Sequence, residues 1–246
     1  MEARDKVAIV TGAGSGIGAA TVPVLARDGF RVACLDRDGA AAERVARDAG
    51  QAHAALTLDV ADEAAVVAAF AEIVQRLGRI DALATCAGIL DVTPFMEVSV
   101  ATFRRVYDVN VIGTFLAIRE AAKHMPRGGR ICTVASVAGL RGGGLAGTAA
   151  YASSKGAVLA LTKNAARSLA EKGICVNTVA PGPIETPMLD GPFRTPGTRE
   201  RVEAMVPLRR SGKPAEVAET IAWLLSPRAS YVDGATITID GGLVMP

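Results

Sequence analysis

The sequence predicts a doubly wound α/β fold, in which a parallel seven-stranded sheet carries helices on both faces, as a single domain over residues 1–246. Two observations lead to this prediction. Seven short β-branched runs alternate with longer, alanine-rich amphipathic stretches. The short runs are almost continuously apolar, as strands buried on both faces are. A length of 246 residues suits one such domain with a large core.

The pattern places the strands and helices in a regular alternation. Strands are predicted at residues 7–11, 31–36, 54–59, 82–85, 131–135, 175–179 and 236–239. Helices are predicted near residues 16–28, 39–49, 62–77, 99–124, 150–172 and 214–226.

One segment, residues 183–207, interrupts the alternation with closely spaced prolines and glycines. It follows a strand, so it leaves the carboxyl edge of the sheet, where such folds bind ligands. We interpret it as a long irregular flap over the substrate. A passive surface insertion is the alternative.

The bulk composition excludes several classes of protein. Half of the residues are hydrophobic, 21% are charged and the net charge is +2, which is typical of a globular chain without a nucleic-acid partner. No apolar run approaches the roughly 20 residues of a membrane span. The start of the sequence lacks the apolar region of a signal peptide, so we expect a cytoplasmic protein. Four cysteines without metal-ligand spacing are interpreted as reduced core residues, and no metal site is expected: Cys34, Cys86, Cys132 and Cys175.

A glycine-rich loop joins the first strand to the first helix. It reads Gly12-Ala13-Gly14-Ser15-Gly16-Ile17-Gly18. Glycines allow a tight turn and a close approach of the backbone to a pyrophosphate, and the helix N-terminus adds N–H donors and partial positive charge. In this position between strand and helix, the loop predicts a dinucleotide site.

The second strand ends at Asp36, 18 positions after Gly18. A carboxylate there can accept hydrogen bonds from the adenosine ribose and would repel a 2′-phosphate, which favours NAD over NADP. The neighbouring Arg37 could instead pair with a 2′-phosphate, in competition with the adjacent carboxylate.

The third strand ends in Asp59-Val60. The carboxylate of Asp59 could accept a hydrogen bond from the adenine amino group. It could equally cap the helix that starts near Asp62, and the two roles are compatible.

Tyr151 and Lys155 lie four residues apart at the start of a predicted helix. They therefore share a helix face, about 6 Å apart. A nearby ammonium lowers the pKa of a phenol, and a tuned phenol can exchange a proton with a substrate oxygen while hydride moves at the adjacent carbon.

Two further polar residues accompany this pair. Ser136 ends the fifth strand, which places a hydroxyl at the carboxyl edge of the sheet. Asn110 lies inside an apolar helical stretch, where asparagine is disfavoured. A kinked turn bonded to a water or a lysine would explain Asn110, and a satisfied structural amide is the alternative.

On these residues the chain resembles the short-chain dehydrogenase/reductase family, in its single-domain branch with the Tyr-x-x-x-Lys motif, whose domain is a Rossmann fold. The resemblance covers essentially the whole chain. Its motifs are Thr11-Gly12-x-x-x-Gly16-x-Gly18, Asp36, Asp59, Ala87-Gly88, Asn110, Ser136, Tyr151-x-x-x-Lys155, Pro181-Gly182 with Thr186, and Asp240-Gly241-Gly242.

The resemblance implies a division of labour among the catalytic residues. Ser136 orients and polarises the substrate oxygen, and Tyr151 is the acid/base. Lys155 lowers the pKa of Tyr151 and binds the nicotinamide ribose, while Asn110 holds a water that links Lys155 to solvent as a proton relay.

The resemblance also implies the cofactor site and the assembly. Ile184 and Thr186 would contact the nicotinamide carboxamide. We expect a homotetramer or homodimer built on the helices near 99–124 and 150–172, with a second interface at 232–242. The full set of predicted cofactor-binding residues is Gly12, Ser15, Gly16, Ile17, Gly18, Asp36, Arg37, Asp59, Val60, Ala87, Gly88, Tyr151, Lys155, Pro181, Gly182, Ile184 and Thr186.

Two departures from the family pattern stand out. Thr85-Cys86 replaces the usual Asn-Asn before Ala87-Gly88, which changes the side chains that brace the cofactor loop. The spacing from Ser136 to Tyr151 is longer than usual, and the extra length falls in the glycine-rich residues 142–147. That loop could enlarge or loosen the substrate pocket.

These features predict an NAD-dependent oxidoreductase that interconverts a secondary alcohol and a ketone. One alternative is an NADP-dependent 3-oxoacyl-carrier-protein ketoreductase. Asp36 argues against NADP, but a basic patch for docking the carrier protein remains open because of Arg104, Arg105 and Arg127. The other is a catalytically silent NAD-binding regulator, although such relatives usually lack the tyrosine or the lysine.

The substrate is specified less well than the chemistry. Arg141 and Arg194 could meet an anionic substrate or could be solvated loop residues. The apolar flap residues Met188, Leu189 and Phe193 suit a hydrophobic or alicyclic substrate.

Overall fold

Seven parallel strands form one sheet in the computed structural model, which describes residues 6–50, 53–143, 148–193 and 195–245. The order across the sheet is β3-β2-β1-β4-β5-β6-β7, and all six neighbouring pairs are parallel. The strands are Val7–Thr11 (β1), Arg31–Asp36 (β2), Ala54–Thr57 (β3), Ala82–Thr85 (β4), Arg130–Val134 (β5), Cys175–Pro181 (β6) and Thr236–Ile239 (β7). This architecture confirms the predicted fold class.

The helices that connect these strands cover both faces of the sheet. They are Gly16–Arg27 (α1), Gly39–Ala49 (α2), Glu63–Leu77 (α3), Val100–Tyr107 (α4), Gly113–His124 (α5), Val137–Arg141 (α6), Ala149–Leu169 (α7), Pro187–Phe193 (α8), Thr198–Met205 (α9) and Pro214–Leu225 (α10). Short 3-10 turns follow at Ala170–Lys172 and Pro227–Ala229. Among the described residues, no helix has both the length and the apolar character needed to cross a bilayer.

The strands are apolar throughout because each face of the sheet belongs to a separate core. In β1, Ala8 and Val10 pack into the core beneath α1, α2 and α10, whereas Val7 and Ile9 pack into the core beneath α3, α5 and α7. Alternate side chains of a strand point to opposite faces, so burial of both faces requires apolar residues at successive positions. Phe70 of α3, with no exposed surface, is among the largest side chains of the second core.

The sheet order reverses between β1 and β4. The chain runs from β1 outward to β3 and then returns to start β4 on the other side of β1. Loops that leave the carboxyl ends of β1 and β4 therefore diverge and open a crevice between them. This crevice is the place where the fold positions a ligand.

The predicted helix at 99–124 is divided in the structure. A π-helical turn, Asp108–Ile112, separates α4 from α5 and contains the fully buried Asn110. A π turn inserts one residue per turn and commonly marks a functional site. The helical stretch is therefore irregular at Asn110, and the partners of its amide decide between the two explanations offered for this residue.

The prediction of a long irregular flap at 183–207 is wrong in its local structure, because α8 and α9 occupy much of it. Pro187 begins α8, a position where the missing N–H costs nothing. Pro181, Pro183 and Pro207 lie outside both helices. Pro192 lies inside α8, so a high density of prolines did not exclude a helix in this segment. Arg194, in the same segment, lies outside the described residues.

His53 ties the end of α2 to the start of β2. Its Nδ1 accepts a hydrogen bond from the Val32 N–H at 2.9 Å, and its Nε2 lies 3.1 Å from the Ala49 carbonyl. Nδ1 can accept only in the neutral ring, with the proton on Nε2. Burial lowers the pKa of His53, because it disfavours the charged ring.

The free energy of unfolding should therefore decrease as the pH falls through about 6.5, the pKa of an unfolded histidine. His53 is neutral in the folded state, and the unfolded state binds the proton first. The variant His53→Gln should show a flatter dependence between pH 7.5 and 5.5 in urea titrations, and should lose about 0.5–1.5 kcal/mol at pH 7.5 with the Val32 hydrogen bond. His124→Gln, at the exposed second histidine, serves as the control. Equal pH slopes in His53→Gln and the wild type would contradict this role.

Candidate active site

A cleft of about 370 Å³ opens at the carboxyl edge of the sheet. Its walls come from the ends of β1 to β6 and from the loops and helices that follow them. Every predicted site residue except Asn110 lines it: Gly12, Ser15, Gly16, Ile17, Gly18, Asp36, Arg37, Asp59, Val60, Ala87, Gly88, Ser136, Tyr151, Lys155, Pro181, Gly182, Ile184 and Thr186.

The glycine loop between β1 and α1 requires glycine at specific positions. Gly12 has a φ of 68°, and a Cβ there would lie 2.6 Å from the backbone nitrogen of Ala87. A Cβ on Gly18 would collide with the carbonyl oxygen of Gly12. Ser15 caps α1 without a side-chain hydrogen bond, so the first N–H groups of the helix are free of a side-chain cap at the cleft wall. This arrangement suits an anionic group such as a pyrophosphate.

Asp36 is fixed beside that loop by two hydrogen bonds. Its Oδ2 accepts from the Gly14 N–H at 2.8 Å, and its Oδ1 accepts from the Asp38 N–H at 2.9 Å. Asp38, not Asp36, caps α2, because its side chain accepts a hydrogen bond from the Ala41 N–H. Asp36 thus remains at the cleft wall, next to the exposed Arg37.

Asp59 does not cap a helix. Asp62 caps α3 by accepting from the Ala65 N–H at 3.0 Å, while Asp59 accepts from the nearby Ala61 N–H. The capping alternative for Asp59 is therefore wrong, because the cap position before α3 falls three residues later, at Asp62. Val60 follows it at the cleft wall and is buried.

Tyr151 and Lys155 lie on the first turns of α7 with 8% and 5% of their surface exposed. The Lys155 Nζ donates to the Val134 carbonyl at 2.8 Å and lies 5.8 Å from the centre of the Tyr151 ring. Ser136 follows β5 and caps α6, and its hydroxyl is hydrogen-bonded to the Tyr151 side chain. The three side chains form one hydroxyl–phenol–ammonium cluster.

Burial controls the electrostatics of this cluster. It raises the pKa of Tyr151, and the hydrogen bond with Ser136 offsets only part of that rise. Burial also lowers the pKa of Lys155 to about 8, so the ammonium is still the major form at pH 7. The sequence predicted a lowered pKa for Tyr151. In the protein alone, the shift is upward because desolvation of the phenolate outweighs the opposing effect of Ser136.

Asn110 is a satisfied structural amide in the π turn. Its Oδ1 accepts from the Ile89 N–H at 2.8 Å, and its Nδ2 donates to the Ile89 carbonyl and to the Ser154 Oγ, each at 3.0 Å. Its backbone carbonyl accepts from the Thr114 hydroxyl. The side chain therefore connects the loop after β4 to α7 without bonding to Lys155.

Sequence reasoning missed most of the apolar side chains that line the cleft. Met188 and Leu189 were expected there, and both line the cleft. The residues that were not expected come from separate loops and helices, and no local pattern marks them: Ile89, Leu90, Val137, Ala138 and Val202. Residues 144–147 and the side chain of Phe193 lie outside the described part of the chain. Arg141 is exposed and is not among the residues that line the cleft.

The described residues contain no group of three or more His, Cys, Asp or Glu side chains that suits a metal ion. The polar groups around the buried Tyr151 phenol are the half-buried Ser136 hydroxyl and the buried Lys155 ammonium. Such groups bind and move protons.

Comparison with known proteins places this cleft in a family context. A family profile described as enoyl-(acyl carrier protein) reductase matches residues 12–244. The chain is 41% identical to a 2-(R)-hydroxypropyl-CoM dehydrogenase of Xanthobacter autotrophicus, over 96% of this chain and 98% of that protein. It is 39% identical to a cis-4-hydroxycyclohexanecarboxylate dehydrogenase of Sinomonas cyclohexanicum, over 97% and 96%.

A solved structure agrees with these relatives. A short-chain dehydrogenase/reductase from Brucella melitensis, described as a glucose/ribitol dehydrogenase, superimposes with a TM-score of 0.94 at 34% identity, covering 100% of this chain and 99% of that chain. Profile, relatives and structure all span nearly the full length. The chain therefore belongs to the short-chain dehydrogenase/reductase family.

Proposed function

We propose that the protein is an NAD-dependent dehydrogenase/reductase that interconverts a secondary alcohol and a ketone, with Tyr151 as the acid/base. The observation that carries this proposal is the cluster of the half-buried Ser136 with the buried Tyr151 and Lys155, in the same cleft as the glycine loop. The relatives are named as dehydrogenases that act on hydroxy compounds, which supports the reaction class.

The residues of the cleft fit a dinucleotide. The loop at 12–18 and the start of α1 would hold the pyrophosphate, and Asp36 would accept hydrogen bonds from the adenosine ribose. Lys155 would bind the nicotinamide ribose, and Ile184 and Thr186 would contact the carboxamide. When bound, the nicotinamide supplies or accepts the hydride.

The proton moves through the side chains of the cluster. In ketone reduction, the Tyr151 hydroxyl donates its proton to the substrate oxygen as that oxygen gains negative charge. Ser136 donates a hydrogen bond to the same oxygen and holds it within reach of the phenol. The Lys155 ammonium stabilises the phenolate that remains, and alcohol oxidation follows the reverse path. Because burial raises the pKa of Tyr151, the protein alone keeps this proton ready for donation.

Asn110 would act on the same proton at a distance. A Cβ placed on Gly88 would lie 3.3 Å from Asn110 Oδ1 and 3.4 Å from Lys155 Nζ. The Asn110 amide and the Lys155 ammonium therefore both lie beside Gly88. We propose that the π turn around Asn110 holds a water that passes protons between Lys155 and solvent. The direct hydrogen bonds of Asn110 to Ile89 and Ser154 would keep the turn in place.

We also propose that the chain assembles as a homodimer or homotetramer. Apolar side chains on and around α4 and α5 are exposed, among them Val100 at 66% and Phe115 at 42%. Strand β7 lies at the edge of the sheet. Unpaired edges and exposed apolar faces are typical of subunit interfaces.

The variant Tyr151→Phe removes the proposed acid/base and leaves the ring in place. We expect kcat to fall by about 10²–10⁴-fold, the usual contribution of a positioned acid or base, while the Kd for NADH changes little. Stopped-flow turnover and NADH fluorescence titration measure the two quantities. Tyr231→Phe, at a fully exposed tyrosine, is the matched control. Unchanged turnover in Tyr151→Phe would show that the acid/base lies elsewhere.

The variant Asp36→Ser tests the cofactor preference. We expect the ratio of kcat/KM with NADH to kcat/KM with NADPH to fall about 10²-fold, since the variant loses ribose hydrogen bonds and removes charge repulsion against a 2′-phosphate. Asp38→Ser, two residues along at the α2 cap, changes the same charge without changing the cleft wall. A wild-type enzyme that prefers NADPH would overturn this assignment of Asp36.

A further inference from the structure

The end of the cleft that contains Tyr151 is lined by apolar side chains. Leu90 and Ala138 pack with Tyr151 in one small apolar cluster. Met188, Leu189 and Val202 reach the same cleft from α8 and α9.

The charged side chains of the cleft are concentrated at its other end. Asp36, Arg37 and Asp59 follow β2 and β3, which β1 and β4 separate from β5 and the catalytic cluster. Of the described residues that line the cleft, only Lys155 brings a charge to the catalytic end, and its Nζ is bonded to the Val134 carbonyl.

Leu90 is held over Tyr151 by hydrogen bonds on both of its sides. On one side, the Asn110 amide bonds to both backbone groups of Ile89. On the other, the Thr148 hydroxyl donates to Asp91 Oδ2 at 2.9 Å, and the Thr148 N–H donates to the Asp91 carbonyl at 3.2 Å.

The Asp91 contacts connect this loop to the catalytic helix. Thr148 immediately precedes α7, three residues before Tyr151. The second carboxylate oxygen of Asp91 accepts from the Thr93 hydroxyl at 2.8 Å, so the carboxylate is held in one orientation. Leu90 is therefore a fixed part of the wall, positioned relative to Tyr151 by Asp91 and Thr148.

Resting on the proposed function, we infer that the substrate is an uncharged secondary alcohol or ketone with apolar substituents, and that Leu90 selects for it. A carboxylate or a set of sugar hydroxyls would lose its hydration water against Leu90 and Ala138, which pack with Tyr151, without gaining hydrogen-bond partners from them, and this is unfavourable. Apolar substituents would instead bury surface against the same side chains. Asp91 and Thr148 are positioning residues that act through Leu90.

The wild-type enzyme tests the substrate class through three ketones: cyclohexyl methyl ketone, acetoacetate and fructose. Binding of each to the enzyme–NAD⁺ complex, which cannot reduce a ketone, is measured by calorimetry, and turnover with NADH is measured separately. We expect the Kd of cyclohexyl methyl ketone to be at least about tenfold lower than that of the other two. Equal or tighter binding of acetoacetate or fructose, or no binding of the apolar ketone, overturns the inference. Tight binding of the apolar ketone without turnover of any of the three counts against the proposed function and leaves the apolar site standing.

Leu90→Ser tests the selecting residue against Val92→Ser, a matched change in the same loop at a position that is 53% exposed and is not among the cleft-lining residues. We expect Leu90→Ser to weaken binding of the apolar ketone about tenfold, as loss of one apolar contact surface does, and to change acetoacetate binding less than twofold. Val92→Ser should change neither. An unchanged ratio of the two affinities in Leu90→Ser overturns the role of Leu90.

Thr148→Val tests the positioning role, with Thr148→Ser as the conservative variant that restores the hydroxyl. We expect Thr148→Val to raise KM for the apolar ketone several-fold and to lower its advantage over acetoacetate, with the pH profile of kcat unchanged. Thr148→Ser should recover the wild-type ratio. A ratio that stays at the wild-type value in Thr148→Val overturns the role of the Asp91–Thr148 contact.

Discussion

The hydrogen bonds of the Asn110 amide hold together the three parts of the chain that meet at the catalytic end of the cleft. Its oxygen and nitrogen satisfy both backbone groups of Ile89, and its nitrogen also bonds to Ser154 on α7. A fully buried amide that lost these partners would pay for desolvation without compensation. The loop after β4, the π turn and the catalytic helix are therefore fixed as one unit. The positions of Gly88 on the cofactor side and Leu90 on the substrate side both follow from it.

Within that unit, burial acts in opposite directions on Tyr151 and Lys155. It raises the pKa of the phenol and lowers that of the ammonium to about 8, because it disfavours the charged form of each. At neutral pH, Tyr151 is therefore a neutral phenol and Lys155 is mainly a charged ammonium. The hydrogen bond with Ser136 lowers the pKa of the phenol and so offsets part of the effect of burial. The positive charge of an oxidised nicotinamide next to the ring would act in the same direction as Ser136, so the bound cofactor and the protein share the tuning of this residue.

Much of this architecture could be predicted from sequence because its causes are local. Strands buried on both faces are apolar at every position, and the glycines at 12 and 18 are required by close backbone contacts. Tyr151 and Lys155 share a helix face by spacing alone. What sequence could not supply depends on contacts between distant segments. Leu90 and Val202 meet in one cleft although 112 positions separate them, and the shift of the Tyr151 pKa depends on a degree of burial that no motif encodes. The helices α8 and α9 were missed because the prolines in and around them resemble those of an irregular loop.

The bond between Asp36 and the Gly14 N–H has a thermodynamic consequence for ligand binding. It joins the end of β2 to the glycine loop, so the part of the cleft that we propose for adenosine is held together without a ligand. Little conformational entropy remains to be lost there when a dinucleotide arrives. Substrates that bind beside the same dinucleotide would share this contribution. Differences in binding entropy between them would therefore arise elsewhere in the cleft.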